Sequence, residues 1–179
     1  MPRLTEPSPA FHASFLAAMK EREDERVGEG DPRATAAEEI QEYTGVWESA
    51  EGFRRYLERV RAAEDERTPW HPGWVGSTTL WWTEGDEYLG RLSLRHRLTT
   101  HLYEQGGHIG YHVRPSARGQ GHATAMLCAS LPYARELGIV SVLLTCDVDN
   151  DASRTVIERC GGVLEDRRGR KLRYWIATE

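Results

Sequence analysis

The sequence predicts a single α/β domain with a mixed, mainly antiparallel central sheet flanked by helices. Three observations carry this. Tyr88 to Leu98 alternates: Gly90, Leu92, Leu94 and His96 share one face, and Arg91, Ser93, Arg95 and Arg97 the other, the period-2 pattern of a half-buried strand. Ile139 to Cys146 is a dense apolar run of strand length, as a buried central strand requires. Between them, a glycine-bearing turn from Arg118 to Thr124 separates a strand pattern, Gly107 to Val113, from a long helical one. At 179 residues the chain is long enough for one domain with a sizeable core.

The elements follow in order. Residues up to about 68 are charged and helical in pattern. Phe11, Phe15, Leu16 and Met19 recur at helical spacing after a Ser8-Pro9 start signal. Glu21 to Asp31 is almost wholly charged or glycine and predicts a solvated loop. Ser49 is a candidate cap for a second helix reaching about Glu66, with Phe53, Tyr56, Leu57 and Val60 as its apolar stripe. From Trp74 the character changes. Trp74 to Trp82 is β-branched and aromatic, and Thr83 to Glu87 has turn chemistry, so the run through Leu98 predicts a hairpin with one buried face. Thr99 to Gly106 reads as a loop. The helix after the glycine turn runs to a C-capping Gly138, with Ala123, Leu127, Leu131 and Ala134 inward and Pro132 implying a kink. Asp147 to Asp151 is a loop ending in helix-cap residues. Ala152 to Cys160 is a short helix, and Val163 to Thr178 closes as a hairpin around Asp166 to Arg170. Trp81, Trp82 and Trp175 are expected in the core.

Composition narrows the function. A net charge of −5 argues against a general nucleic-acid or membrane-surface binder. No apolar run spans a bilayer, and no secretory h-region follows Met1. Cys128, Cys146 and Cys160 are odd in number and lack metal-ligand spacing. They predict free buried thiols in a reducing cytoplasm, with no metal site.

The chemistry concentrates at Arg118-Gly119-Gln120-Gly121-His122-Ala123-Thr124. Amides in the first turn of a helix point outward without a Cβ in the way, forming an anion cradle, and an arginine at its rim adds a charge-assisted bond. The turn therefore predicts a phosphate or pyrophosphate site. A dinucleotide fingerprint fits less well. Five residues, Arg114 to Arg118, precede the first glycine, and Thr124 stands where the third glycine belongs.

This turn, at this place in the element order, resembles the signature of the GNAT superfamily of acyl-CoA N-acyltransferases: Gln or Arg, two residues, Gly, any residue, then Gly or Ala. Asn150, Ser153 and Val156-Ile157-Glu158-Arg159-Cys160-Gly161 resemble a second family element on the following helix. The resemblance covers Trp74 to Ala177 well. It implies acetyl-CoA as donor and a strand pair that splays at the CoA site. The pyrophosphate would lie on the amides from Arg118 to Thr124. The pantetheine arm would lie beside Tyr111, His112 and Val113, which the family usually breaks with a bulge, and Asn150 would contact or orient it. The acceptor would be a primary amine of a small molecule or peptide, and the assembly a homodimer. Direct transfer needs an oxyanion donor, expected in a backbone N–H near Tyr111 to Val113, and a proton for the leaving thiolate.

The family often places a tyrosine acid where this chain has Ile157. Ser153 is the nearest substitute, with helix capping as its competing role. A base is expected from His108 or Glu104, beside the strand start where relatives place a glutamate, with His96 and His112 as further candidates; an unperturbed histidine titrates near ~6.5. His122 is expected to act through its backbone N–H. A non-catalytic acyl-CoA sensor is the alternative reading. The Arg167 to Lys171 turn could attract a nucleic-acid-borne amine, but reads better as a solvated hairpin tip.

Overall fold

The computed structural model describes residues 1–26 and 40–179. Strand β1 spans Arg3–Thr5, and a 3-10 turn at Pro9–Phe11 leads into α1, His12–Arg26. Helix α2 is Ala50–Ala62, followed by the hairpin β2, Ser77–Glu84, and β3, Glu87–Arg95. A short α3, Thr100–Glu104, precedes β4, Ile109–Val113. Then come α4, His122–Glu136; β5, Ser141–Asp147; α5, Asp151–Arg159; β6, Val163–Arg168; and β7, Lys171–Ala177. The strands form two sheets, in the orders β1-β2-β3-β4 and β5-β7-β6, and every pairing among the described residues is antiparallel. This is the α/β architecture expected, an antiparallel sheet flanked by helices and opened between β4 and β5.

The alternating pattern of β3 builds two cores. Leu92 and Leu94 point with Ile109, Val113, Met126, Leu127, Val142, Leu144 and Ile157 into a core under α4 and α5. The opposite face of the first sheet carries Trp81 and Tyr88, which meet Phe15, Trp47, Phe53, Tyr56 and Trp70 in an aromatic core under α1 and α2. Phe15 sits at its centre, with its ring stacked on Trp81 at 5.3 Å and edge-on to Trp47 at 5.0 Å. Full burial of one such side chain is worth roughly 1.5–3 kcal/mol, so the N-terminal helices are fastened to the sheet rather than appended.

Several expectations are corrected. Glu21 to Arg26 is the last part of α1, not a loop, and residues 27–31 lie outside the described residues. Thr99 to Gly106 contains α3, capped by the Thr99 hydroxyl accepting from Leu102 N–H at 3.2 Å. The hairpin buries both faces: Arg91 is 5% exposed, because α2 covers it and Tyr56 accepts its hydrogen bond. Cys128 and Cys160 form a disulfide that ties α4 to the end of α5, and only Cys146 is a free thiol. The 32-residue separation hid that contact, since nothing in the spacing reveals that two amphipathic helices pack side by side. β1 carries no sequence signal; its three residues pair with β2 at Trp81 to Thr83.

Candidate functional site

The cradle forms where β4 ends. Pro115–Ala117 makes a 3-10 turn, and Glu21 of α1 fastens it by accepting from Ser116 N–H at 3.0 Å, from the Ser116 hydroxyl at 3.0 Å and from Arg114. Burial alone would raise the Glu21 pKa, but these hydrogen bonds outweigh it and hold the carboxylate below its ordinary value. Gly119 and Gly121 have φ of +75° and +84°, and a Cβ on either would meet nothing within 4 Å. The turn thus uses a left-handed backbone that glycine adopts without strain and leaves open space above it. The first bond into α4 is Ala125 N–H to Gly121 C=O, and no amide from Gly119 to Thr124 donates to a backbone carbonyl among the described residues. No acidic residue lies in that first turn. These unbonded N–H groups at the positive end of a 15-residue helix suit an anion. His122 belongs to the wall: its Nδ1 accepts from Trp82 Nε1–H at 3.2 Å, which pins the turn to β2.

From the cradle a groove of about 2020 Å³ runs between β4 on one side and β5 with α5 on the other. The two strands touch only where β4 begins. There His108 N–H donates to Leu143 C=O at 2.7 Å, and Leu143 N–H donates to His108 Nδ1 at 2.9 Å. Gly107, with φ of +64°, allows this approach; a Cβ there would lie 2.2 Å from the Leu143 oxygen. Beyond that point the strands part. The break needs no bulge in β4, contrary to expectation: its register with β3 is continuous from Leu94–Ile109 to Gly90–Val113. Arg95 N–H bonds His108 C=O and Arg114 N–H bonds Leu89 C=O, so even-numbered residues of β4 face β3. By strand alternation the backbone groups of Tyr111 point into the gap. Across it, Asn150 caps α5 by accepting from Ser153 N–H at 3.0 Å. The Tyr111 and Ser153 hydroxyls stand 3.0 Å apart and span the groove.

The face of β2, β3 and β4 turned toward α2 forms the rest of the wall: Ser77, Thr79, Arg91, Ser93, Arg95, Gly110 and His112. Arg91 donates to Thr79 Oγ1 at 3.2 Å and Ser93 Oγ at 3.1 Å. Burial first, then repulsion from Arg22 and Arg95, pulls its pKa down to about 9. Burial, then the charges of Arg22, Arg91 and Arg118, pushes His112 well below the ordinary imidazole value, and its Nε2 contacts the Tyr88 hydroxyl at 3.2 Å.

The expected acid–base residues are less well placed than the cradle. His108 is 7% exposed, its Nδ1 lone pair is used by Leu143 N–H, and burial followed by the nearby Arg95 charge drives its pKa to about 4. It holds the root of the β4–β5 opening. Glu104 borders the groove but is ion-paired with Arg168. His96 bonds the Thr78 hydroxyl at 2.9 Å. Ile157 is fully buried in the core, so no side chain at that position faces the groove. Of the Arg167 to Lys171 turn, Arg168 pairs with Glu104 and Asp166, Arg170 with Asp149, and Lys171 with Asp147. The sequence pointed to Tyr111 through its backbone and not through its side chain, whose pKa burial raises to about 12, and it set Arg91 and Arg95 on the face of β3 opposite the buried leucines. Among the described residues no group of three His, Cys, Asp or Glu is arranged to hold a metal ion.

Comparison with known proteins agrees with this geometry. The family model "Acetyltransferase (GNAT) domain" matches residues 19–163. No curated protein matches at the level of sequence. Among solved structures, the chain is similar to the ribosomal-protein-S5-alanine acetyltransferase of Vibrio fischeri, with TM-score 0.68, 10% identity and coverage of 99% of this chain and 93% of that one. It is also similar to the microcin C7 self-immunity acetyltransferase in complex with acetyl-CoA and AMP, with TM-score 0.64, 14% identity and coverage of 98% and 92%. A third is the ribosomal L7/L12 alpha-N-protein acetyltransferase RimL in complex with coenzyme A, with TM-score 0.63, 18% identity and coverage of 98% and 93%. A family model that matches most of the chain, joined to an open strand pair that ends in an amide cradle, settles its membership: this chain belongs to the GNAT acetyltransferase family, whose members are acyltransferases.

Proposed function

We propose that the chain transfers an acetyl group from acetyl-CoA directly to a primary amine, in a cytoplasmic setting. The observation that carries this is the run of unbonded amides from Gly119 to Thr124, continuous with a gap into which β4 turns unpaired backbone groups. The cradle fits a pyrophosphate, because its glycines leave the approach open and no carboxylate stands in the first turn of α4. The backbone of Tyr111 would pair with the pantetheine amides as a neighbouring strand would. Asn150, which lines the opposite wall while its Oδ1 caps α5, orients the arm from that side.

The chemical step follows from the residues at the junction. The amine must be neutral to attack. Arg91 and Arg95 on the acceptor wall disfavour an ammonium beside them and lower the amine's pKa, so its proton leaves to water without a dedicated base. The N–H groups of β4 facing the gap stabilise the oxyanion as the tetrahedral carbon forms. When the C–S bond breaks, the Tyr111 hydroxyl donates a hydrogen bond to the sulfur, and Ser153 holds that hydroxyl in place. Full proton transfer from a phenol of pKa about 12 to a thiolate of ordinary pKa about 8.5 would be uphill by roughly 5 kcal/mol. Tyr111 therefore stabilises the thiolate and the proton comes from solvent.

Calorimetric titration with acetyl-CoA, followed by a screen of amines with thiol-release detection, tests this. Submillimolar acetyl-CoA binding with turnover of at least one amine supports it. Tight binding with no turnover across a wide panel supports the acyl-CoA sensor instead, and no binding overturns both.

A further inference from the structure

We propose that the acceptor is a small amine that also carries an oxyanion, carboxylate or phosphate, which Arg95 recognises on the acceptor wall. This rests on the acetyltransferase reading above and names the substrate class it takes.

Arg95 lies on the wall of the groove beside the root of the β4–β5 opening, where its backbone N–H bonds His108 C=O at 2.7 Å. Its Nη1 donates to the carbonyls of Gly106 at 3.1 Å and Gly107 at 3.0 Å. No carboxylate bonds it among the described residues. Burial alone shifts its pKa, downward, with no acidic neighbour to offset it. Its Nη2 faces Gly110, where a Cβ would sit 3.6 Å away, and the absence of a side chain there leaves that edge of the guanidinium open to the groove. Two carbonyls could be held by a neutral amide or hydroxyl at far lower desolvation cost. A buried guanidinium with neutral partners is stable only at a penalty, which an incoming anion relieves.

The surroundings point the same way. Ser77, Thr79 and Ser93 share this wall, so hydroxyl donors flank the cation. Arg91 adds a second positive charge four residues away on the same strand face and repels Arg95. The groove carboxylates Glu104, Asp147 and Asp151 are ion-paired with Arg168, Lys171 and Arg154. A polyamine needs carboxylates on its path and would meet arginines here. A planar guanidinium with a free edge suits a bidentate oxyanion. The same cations that hold the anion lower the pKa of the attached ammonium, so recognition and activation use one set of residues.

The test uses the intact protein. Acetyl-CoA affinity is measured first, so that failure of donor binding is separated from failure of acceptor recognition. Matched acceptors are then compared by thiol release: α-amino acids against their amides and methyl esters, phosphoethanolamine against ethanolamine, and a diamine of equal length. We expect at least a tenfold higher kcat/KM for the anionic member of one pair, and which pair responds separates carboxylate from phosphate. Arg95→Lys should keep part of that preference and Arg95→Met should abolish it, with acetyl-CoA affinity within about threefold of the parent in both. Equal rates within both pairs, a preference for the diamine, or no turnover of any member while acetyl-CoA binds would each overturn the proposal. If Arg95→Met does not fold, the wild-type acceptor series alone still decides.

Discussion

Tyr111 on β4 and Ser153 on α5 meet hydroxyl to hydroxyl at 3.0 Å across the opening between the two sheets. Each comes from a different wall, and β4 and β5 share no ladder that would bring them together. The contact holds a phenol, protonated well beyond neutral pH, on the wall of the groove. In the mechanism proposed above it stands in for a donor at Ile157, which is sealed in the core.

Tyr111→Phe removes that donor and leaves the ring packed. A hydrogen bond to a charged group contributes about 1.5–3 kcal/mol, so kcat should fall roughly 10- to 100-fold while KM for acetyl-CoA stays nearly constant. Ser153→Ala should lower kcat less, because it orients the phenol and does not touch the sulfur. Steady-state kinetics in both variants checks this; an unchanged kcat in Tyr111→Phe removes the tyrosine from the mechanism.

His108 should make stability depend on acid. Its folded pKa is about 4, below the ordinary ~6.5, so the unfolded chain binds the proton more readily. The contribution of the neutral ring is complete above pH ~6.5, falls progressively between 6.5 and 4, and is lost below. Denaturant titrations across that window should show a slope that His108→Asn flattens, since the Asn carbonyl can still accept from Leu143 N–H. A parallel slope in the variant would assign the acid sensitivity to other groups.

The Cys128–Cys160 bridge closes a 32-residue loop from α4 to the end of α5. Loop-closure entropy makes it worth about 3–4 kcal/mol, or roughly 10 °C in Tm for a domain of this size. Thermal melts with and without a reductant should differ by that order, and Cys128→Ser should melt like the reduced protein. Identical melts would mean that the thiols are not joined in solution.

The glycine turn, the caps at Ser49 and Asn150 and most strand positions were legible because each is a local pattern. Ser49 accepts from Gly52 N–H at 3.0 Å as its position suggests. What escaped depends on tertiary contact. Glu21 looked like loop charge, yet as an α1 residue it fastens the turn before the cradle. Arg91 and Arg95 alternate with leucines and so resembled a wet face, yet Tyr56 of α2 accepts from Arg91 and the Gly106 and Gly107 carbonyls hold Arg95. His108 looked titratable because its sequence does not show Leu143 N–H aimed at its ring. The donor half of the site is written in backbone conformation, which glycine spacing reports. The acceptor half is written in side chains gathered from distant segments, which spacing does not.

The central claim is that the turn from Gly119 to Thr124 holds the CoA pyrophosphate, and the most direct measurement is calorimetric titration of CoA into the parent, Gly121→Ala and Gly121→Glu. Both variants bear the same left-handed strain, at φ of +84° and with no neighbour within 4 Å of the Cβ, so their difference reports the bulk and negative charge that Glu adds at the cradle. Circular dichroism should show both folded. We expect Gly121→Glu to bind CoA at least tenfold more weakly than Gly121→Ala, a difference of about 1.4 kcal/mol or more. Equal affinity in the two variants would contradict the cradle assignment.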